Sequence, residues 1–460
     1  MKRRTFLKST AALAPMILSP RALGREGPGP NDQVNVGVIG LGRRAWAVTG
    51  SSLEVPGMNI VAICDCFKPR IDEFRSAFEE HEENWTSYID FREMLDKEDL
   101  DAALCITTTP ASGWVTTHAM SAGLDVYIEK PMCISVEEGR HMVTTARRHG
   151  AVTQVGTQGR SFPIHKWACD LIQEGAIGKV KKVEAADYMG PREWQPHPAE
   201  PKPEGGTVGW WDVWTNQAPL RPYNSTLHEG AYKEYRDYEH CDLSYGLTGH
   251  GTHSYDTVQW ALGANLTTPV EMTLEEPYEE RRLTRFDSRE EAEREDRVRF
   301  ADCQDKDRTG LRGRVTMRYR DETLDDVELD LHLDMDYGPW LGGRFIGEDG
   351  TIDIHWGTGI EAEPKEIMER DDRPPEGQDL RPHLENWIEC IKSREACNAD
   401  IEYAQRSHTI CFLVNVIREL GEVGETLHWD PVQERFTDSE EGNEHISIKR
   451  ERRPGYELAT

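Results

Sequence analysis

The sequence predicts an α/β protein with two domains, an N-terminal doubly wound parallel sheet and a C-terminal α+β domain with a large, mostly antiparallel open sheet. Its 460 residues are enough for two buried cores. Between residues 33 and 157, short β-branched runs alternate with helical stretches, as parallel strands and their crossover helices require. Farther on, runs such as 312–336 alternate polar and apolar residues, which is typical of antiparallel strands with one exposed face.

Five runs within residues 33–157 predict the strands of the first domain. They read VNVGVIG from Val34, NIVAICD from Asn59, DAALCIT from Asp101, DVYIEK from Asp125 and AVTQVGT from Ala151. Helical periodicity between them is clearest in residues 68–83 and 135–150. This order predicts a Rossmann sheet with helices on both faces.

Residues 158–430 are predicted to form the second domain, followed by a tail over 431–460. The first part of this domain, 190–246, is irregular and rich in Pro, Trp and Tyr. Residues 274–300 carry dense charge of both signs, which predicts a solvated helix or a surface excursion. Helical periodicity returns at 383–398 and 403–421.

Residues 1–24 resemble a twin-arginine export signal, and residues 25–32 form a Gly/Pro linker. Arg3 and Arg4 precede a short apolar run and a small-residue end. The run is too short to span about 30 Å of hydrocarbon, so we expect a periplasmic or otherwise exported protein without stable membrane insertion. A basic N-terminus of a cytoplasmic protein is the alternative.

The amino-acid composition excludes some classes of binding partner. A formal charge of -29 opposes binding to nucleic acid and to anionic lipid, because like charges repel. The ten cysteines are scattered through apolar surroundings, which is typical of small core residues. No required disulfide is expected.

The first predicted strand runs directly into the dinucleotide fingerprint GLGRRA, which begins at Gly40 and places Arg43 in the turn. Gly40 allows the tight turn, Gly42 lets the backbone approach a pyrophosphate, and Ala45 permits close packing of the next helix. Asp65 ends the second strand, where its carboxylate can accept ribose hydroxyls and repel a 2′-phosphate. These residues favour NAD over NADP; a glycine-rich turn without a cofactor is the alternative.

Further motifs extend over most of the chain. They are CITTTP ending at Pro110, EKP from Glu129, VGTQGRS from Val155, WDVWTNQAPLRPYN from Trp211, THSYDTVQWALG from Thr252, GRFIGEDGTIDI from Gly343 and LHWDPVQERF from Leu427. With them the chain resembles the exported branch of the Gfo/Idh/MocA family of nicotinamide-dependent sugar and polyol oxidoreductases. The resemblance implies a C-terminal domain whose open sheet joins subunits into a homo-oligomer. It also implies a Lys-Pro segment beside the nicotinamide and a facing histidine from the second domain.

Further cofactor contacts are assigned on this basis to Thr108, Pro110, Glu129, Lys130 and Gln158. Gln158 follows the last Rossmann strand, at the crevice where open sheets bind ligands. A hinge-surface residue is the alternative for this position.

Lys130 and His253 are the catalytic candidates. An imidazole that titrates near 6.5 can accept a hydroxyl proton at neutral pH while hydride leaves the same carbon. Lys130 precedes a proline and is expected to share a proton with the substrate oxygen. Asp256, three residues after His253, is expected to orient or charge-balance the ring. A surface lysine and a satisfied core histidine are the alternatives.

Many relatives carry an aspartate four positions before this histidine, where the present chain has Gly249. We expect His250, Tyr223 or water to take its place. A zinc site is the alternative for this stretch, with possible ligands at His240, Cys241, His250 and His253. Hydride transfer to nicotinamide needs no metal, so none is predicted.

Candidate substrate contacts are Arg160, Arg221, Tyr223, Asn224 and His250. Aromatic and bidentate hydrogen-bonding side chains suit a carbohydrate, whose rings offer apolar faces and paired hydroxyls. Trp210, Trp211 and Trp214 lie just upstream and suit the same purpose. Plain interface packing is the alternative for this aromatic set.

The leading hypothesis is NAD-dependent oxidation of a secondary hydroxyl of a sugar, polyol or glycoside by hydride transfer. Because free NAD is not expected outside the cytoplasm, the cofactor of an exported enzyme is expected to stay tightly bound and to be recycled in place. Two alternatives remain open. One is a redox-assisted glycosidase or lyase, and the other is a non-catalytic sensor or scaffold that retains NAD.

Overall fold

The computed structural model describes residues 33–460 except 82–83, 240–245, 283–308, 321–323, 325–326, 333–338, 340 and 358. The predicted export signal (1–24) and linker (25–32) therefore lie outside the described residues. No helix in the described part of the chain is both long and apolar enough to cross a membrane.

The N-terminal domain contains a six-stranded parallel sheet in the order β3-β2-β1-β4-β5-β6. Its strands are β1 (Val34–Ile39), β2 (Met58–Cys64), β3 (Thr86–Tyr88), β4 (Ala102–Cys105), β5 (Asp125–Ile128) and β6 (Thr153–Val155). This is the predicted doubly wound Rossmann sheet, with one strand, β3, that the sequence pattern did not indicate. At three residues, β3 is too short to show a periodicity.

Five helices connect these strands. They are α1 (Arg43–Ser52), α2 (Lys68–Ala77), α3 (Phe91–Lys97), α4 (Thr109–Ser121) and α5 (Val136–His149). Helix α5 has the ends that its sequence predicts, because Ser135 accepts from the N–H of Glu138 and Gly150 adopts φ 65° after the last turn. Helix α2 ends earlier than predicted, at Ala77.

The C-terminal domain contains a nine-stranded sheet in the order β15-β14-β13-β7-β12-β11-β8-β16-β17. These strands are β7 (Val180–Ala186), β8 (Glu271–Leu274), β11 (Val315–Tyr319), β12 (Val327–His332), β13 (Gly343–Gly347), β14 (Thr351–Ile354), β15 (Glu361–Glu363), β16 (Thr426–Asp430) and β17 (Arg435–Phe436). All neighbouring pairs are antiparallel except β7 and β12. The prediction of a large, mostly antiparallel sheet is confirmed.

Helices cover one face of this sheet. The helices of the second half are α6 (Pro163–Gln173), α7 (Trp210–Thr215), α8 (Ser225–Glu229), α9 (Thr252–Ala261), α10 (Arg381–Ser393), α11 (Ile401–Leu420) and α12 (Glu440–Asn443). Helices α6, α9 and α11 contact the sheet. On the strands, buried positions alternate with half-exposed ones, as in the Val315–Tyr319 strand, which is the pattern of a sheet with one packed face.

Three segments depart from the predicted domain layout. Residues 279–282, expected in a solvated helix or surface excursion, form strand β9 and pair with β10 (Thr309–Arg312). Helix α10 returns to the first domain, where Trp387 is fully buried in the Rossmann core. The expected tail over 431–460 is packed, since Tyr456 lies against Trp114 with ring centroids 5.2 Å apart.

Candidate active site

A cavity of about 750 Å³ lies at the carboxyl ends of the parallel strands. Residues that follow β1, β2, β4 and β5 form its floor, and residues 207–239, which we call the cover segment, form its roof. Doubly wound domains bind their ligands at this edge. The predicted cofactor contacts that line it are Gly40, Gly42, Arg43, Asp65, Thr108, Glu129 and Lys130.

The glycine turn before α1 is shaped for a close ligand. Gly40 has φ 87°, and a Cβ there would lie 2.5 Å from the carbonyl oxygen of Ile106, so only glycine fits. A Cβ at Gly42 would meet no atom within 4 Å, which leaves this backbone open to the cavity. Ala45 is fully buried, so α1 begins close to the sheet with its N-terminus toward the cavity. This arrangement fits the pyrophosphate of a dinucleotide.

Asp65 follows β2 and holds the glycine turn. One carboxylate oxygen accepts from the backbone N–H of Leu41 and the other from that of Phe67, each at 2.9 Å. Burial raises the pKa of Asp65, and these two hydrogen bonds oppose the shift. Each oxygen has a second lone pair, so Asp65, which lines the cavity, keeps capacity for ribose hydroxyls.

Glu129 is a buried carboxylate at the centre of a hydrogen-bond network beside the cavity. It accepts from Arg44 Nε at 2.6 Å, from Gln158 Nε2 at 3.2 Å and from Tyr127 OH at 3.3 Å. The charge of Glu129 raises the pKa of the Arg44 guanidinium. Gln158 is not among the described residues that line the cavity, and its side chain holds Glu129, which does line it.

The loop after β4 contributes Thr108 but not Pro110 to the described lining of the cavity. Pro110 is buried in the first turn of α4, where its carbonyl accepts from Gln217 Nε2 at 3.0 Å. The contact seen for Pro110 thus fixes the start of this helix, while its neighbours Thr109 and Ala111 line the cavity.

Lys130 extends from the end of β5 toward the second domain. Its Nζ donates to the carbonyl oxygen of Gly249 at 2.9 Å. Gly249 belongs to a π-helical turn, Leu247–Gly251, which leads into α9, and such turns are frequent at functional sites. His250 lines the cavity, whereas His253 follows in the first turn of α9 and is not among the described residues that line the cavity. The structure thus gathers the predicted lysine and both histidines around one helical turn.

Both histidines are held in the neutral form. Burial lowers the pKa of His250 to about 3, and the charges of Lys130 and Lys233 add to the shift. Burial, followed by the charge of Lys130, holds the pKa of His253 well below its usual range. His253 packs against Trp356 with ring centroids 4.4 Å apart. Its Nδ1 has no hydrogen-bond partner among the described residues, so the ring keeps an unused polar position.

The predicted contact between Asp256 and the ring of His253 is replaced by a buried ion pair. Asp256 Oδ2 accepts from Arg160 Nε at 2.8 Å, and Oδ1 accepts from Ser407 Oγ at 2.7 Å. The side chains of Arg160 and Asp256 are each 3% exposed. Arg160 also donates to Asn265 at 2.9 Å. These internal contacts stand in place of the expected substrate contact of Arg160. The pair ties the end of the first domain to α9.

Three other predicted substrate contacts lie in an aromatic cluster of the second domain. Arg221 forms an ion pair with Asp237 and lies over Trp194, with its guanidinium carbon 3.7 Å from the ring centre. Tyr223 is buried in the cluster, and Asn224 caps α8 with its side chain. None of the three is among the described residues that line the cavity.

In the described part of the chain, no group of three or more His, Cys, Asp and Glu side chains is arranged to hold a metal ion. His240 and Cys241, two members of the alternative zinc set, lie outside it.

The cover segment supplies Trp210, which the sequence analysis names as suited to a carbohydrate, and two site residues that sequence reasoning missed, His228 and Lys233. Trp210 packs on Phe67 with ring centroids 4.4 Å apart, and His228 lies edge-on to Phe67 at 5.3 Å. Lys233 lines the cavity together with His250. The signal in the sequence was the richness of residues 190–246 in Trp and Tyr. This richness predicts an aromatic cluster, but it does not predict that the cluster lies over the glycine turn.

The two segments of the chain that form this site each match a known protein family. Residues 34–157 match the family described as "Oxidoreductase family, NAD-binding Rossmann fold", and residues 207–286 match "Oxidoreductase family, C-terminal alpha/beta domain". Both segments match models of the Gfo/Idh/MocA oxidoreductase family. The cavity therefore lies between two segments of known Gfo/Idh/MocA type.

Curated Gfo/Idh/MocA-type relatives match parts of the chain. A stretch of 148 residues is 31% identical to a scyllo-inositol 2-dehydrogenase (NAD(+)) of Bacillus subtilis, covering 32% of this chain and 42% of that protein. Another stretch of 218 residues is 27% identical to a glycosyl hydrolase family 109 protein of Shewanella, covering 42% of this chain and 47% of that protein. The chain thus spans less than half of the length of these curated relatives.

Solved structures share the fold over most of the chain. An aldose-aldose oxidoreductase of Caulobacter crescentus matches with a TM-score of 0.56 at 16% identity, covering 86% of this chain and 99% of that chain. An oxidoreductase of Agrobacterium radiobacter, solved with NAD+, L-tartaric acid and magnesium, matches with a TM-score of 0.53 at 14% identity, covering 86% and 98%. These likenesses concern the fold alone.

Gly42→Val tests the glycine turn of the N-terminal domain. The added side chain meets open space in the protein, so the variant should fold, but it fills the approach of the pyrophosphate. We expect a loss of nucleotide affinity on the order of tenfold or more, measured by calorimetry. Gly50→Ala, which also meets no atom within 4 Å but lies along α1, is the matched control and should bind normally.

Proposed function

We propose that the chain is an NAD-dependent oxidoreductase that oxidises a secondary hydroxyl of a sugar, polyol or glycoside. The observation that carries the proposal is the hydrogen bond from Lys130 to the π-helical turn that bears His250 and leads into α9, the helix of His253. Lys130 and His250 line the same cavity as Gly42. The family of both matched segments and the inositol dehydrogenase among the relatives support the same class. When bound, NAD would supply the hydride acceptor.

Proton transfer is assigned to His253. Its ring is neutral at pH 7, so it can take the proton of a substrate hydroxyl. Lys130, fixed by the carbonyl of Gly249 at 2.9 Å, can hold the same oxygen as negative charge develops on it. His250 lines the cavity and offers a further contact to the substrate.

Contacts around the cover segment support tight retention of the cofactor. Asp212 in the cover accepts from Tyr456 OH at 2.7 Å and pairs with Arg453, and both partners lie in the C-terminal segment. These contacts hold the segment that lies against the cavity, so we expect slow release of a bound nucleotide. Asp65 supports NAD over NADP, because its carboxylate would repel a 2′-phosphate.

A redox-neutral glycosidase or lyase is the second candidate. The likeness over 218 residues to a glycosyl hydrolase family 109 protein favours it. A cofactor that stays bound must be regenerated in place, and returning the hydride to the same sugar after bond cleavage achieves this without a second substrate.

A panel of polyols, free sugars and aryl glycosides tests these proposals on the purified protein. The oxidoreductase proposal predicts that a polyol or sugar converts bound NAD to NADH, seen as nicotinamide absorbance. Release of monosaccharide from an aryl glycoside without net NADH would favour the second candidate instead. Bound nucleotide with neither signal would contradict both, and would support a sensor or scaffold.

The pH profile of kcat/KM should reflect the lowered histidine pKa values. A base acts only when neutral, and a lowered pKa extends the neutral form to more acidic solution. We therefore expect the acid limb to lie below pH 6.5, the ordinary histidine value. Half-loss of kcat/KM at pH 6.5 or above would contradict the assignment, and the exposed His428→Asn variant should leave the profile unchanged.

We also propose export by the twin-arginine route, supported by the basic and apolar pattern of residues 1–24. The full chain should accumulate outside the cytoplasm of a bacterial host. An Arg3→Lys/Arg4→Lys variant should stay inside, and equal export of both proteins would overturn the proposal.

A homo-oligomer formed through the nine-stranded sheet is a further proposal. Helices cover one face of that sheet, while the other carries paired charges such as Arg344 with Asp353 at 2.7 Å. Light scattering should give a multiple of the chain mass of 52.4 kDa. A monomer at micromolar concentration would contradict this proposal.

A further inference from the structure

A pair of cysteines lies beneath a surface loop of the C-terminal half. Cys390 is near the end of α10 and Cys397 is in the loop that leads to α11. Their exposed fractions are 5% and 2%, while the residues from 392 to 396 that join them are all exposed. Cys390 Sγ donates to the carbonyl oxygen of Ala396 at 3.5 Å, directly beside Cys397. A hydrogen bond from Cys397 lowers the pKa of the Cys390 thiol.

We propose that Cys390 and Cys397 are a modification site, a dithiol that closes to an intramolecular disulfide when the protein meets a disulfide oxidant. The geometry that favours closure is the contact of Cys390 Sγ with the carbonyl oxygen of Ala396, the residue that precedes Cys397, at 3.5 Å. Other described cysteines suit this reaction less well. Cys64 and Cys66 are separated by one residue of extended chain, so their side chains point to opposite sides.

The reaction balances with a disulfide acceptor such as oxidised glutathione. The Cys390 thiolate attacks one sulfur of the acceptor, forms a mixed disulfide and releases one acceptor thiolate. The Cys397 thiol then loses its proton and attacks Cys390 Sγ, which forms the internal bond and releases the second acceptor thiolate. The protein loses two protons and two electrons, and the acceptor disulfide is reduced to two thiols.

The cross-link would fix a loop that joins the two domains. Arg394 in this loop pairs with Asp125 at 2.6 Å, and Ala399 N–H donates to Gln154 Oε1 at 2.9 Å. The partners Asp125 and Gln154 lie on neighbouring strands β5 and β6 of the Rossmann sheet. Closing the loop restricts the unfolded chain, so the oxidised protein should melt a few degrees higher than the reduced one. The inference does not depend on the proposed function.

Peptide mapping of the full-length protein tests this proposal. The protein is equilibrated with oxidised or reduced glutathione, quenched with acid, alkylated and digested. We expect the oxidised sample to contain one peptide pair joined through Cys390 and Cys397, lighter by two hydrogen atoms, and to melt higher. Cys66→Ser should keep this cross-link, whereas Cys390→Ser should lose it.

Alkylation of both thiols after oxidation would overturn the proposal, as would pairing of either with another cysteine. If Cys390→Ser fails to fold, the map of the wild-type protein still decides, because it identifies the linked peptides directly. An unchanged melting temperature with the cross-link present would overturn the stabilising role of the bond.

Discussion

Replacing Lys130 with methionine is expected to lower turnover about a thousandfold while the bound nucleotide is retained. Methionine keeps much of the apolar stem but removes the ammonium that donates to the Gly249 carbonyl at 2.9 Å. The substrate oxygen would then develop negative charge without a cation beside it. The measurement is kcat on the best substrate of the panel, together with the nucleotide content of the same preparation.

Lys166→Met is the matched control for this variant. Lys166 is exposed and pairs with Asp170 one helical turn away at 2.6 Å, far from the described lining of the cavity. It should turn over at the wild-type rate. A Lys130→Met enzyme with full nucleotide content and a kcat within about tenfold of wild type would contradict the assigned role.

Arg160→Met is expected to lower the free energy of unfolding by about 3 kcal/mol. The substitution leaves the carboxylate of Asp256 buried and without its cation, since both side chains are 3% exposed. One hydrogen bond, from Ser407 Oγ, remains to that carboxylate. The measurement is denaturant unfolding followed by circular dichroism.

The double variant Arg160→Met/Asp256→Asn should lose less stability than the sum of the single losses, because it leaves no unpaired buried charge. Asp256→Asn, in the fraction that folds, should keep kcat within about tenfold of wild type. A small loss of stability with a large loss of kcat would instead restore the predicted role of Asp256 in orienting His253.

The glycine turn and its surroundings could be predicted because the determining contacts are local. Gly40, Gly42, Ala45 and Asp65 occur within one strand-helix-strand unit, and the backbone N–H of Leu41 within that unit donates to Asp65. The position of His253 was also indicated, since the motif that begins at Thr252 carries the resemblance. Such short-range patterns are visible in a single sequence.

The contacts of Asp256 could not be predicted, because they come from residues distant in the sequence. Spacing along α9 places Asp256 near His253, but Arg160 reaches it across 96 positions and Ser407 across 151. Arg221 was assigned to a sugar on its residue type, and its pairing with Asp237 depends on how the cover segment folds. A side chain's chemistry predicts what it can bind, whereas the fold decides which partner reaches it.

The central claim is that the cavity between the glycine turn and the cover segment retains a nicotinamide dinucleotide. Its most direct test is mass analysis of the nucleotide released on denaturing the purified full chain, with Gly42→Val prepared in parallel. We predict about one NAD per folded wild-type chain and strong depletion in the variant. Wild-type protein that is folded yet releases no nicotinamide dinucleotide, and binds none when NAD is added, would contradict the account.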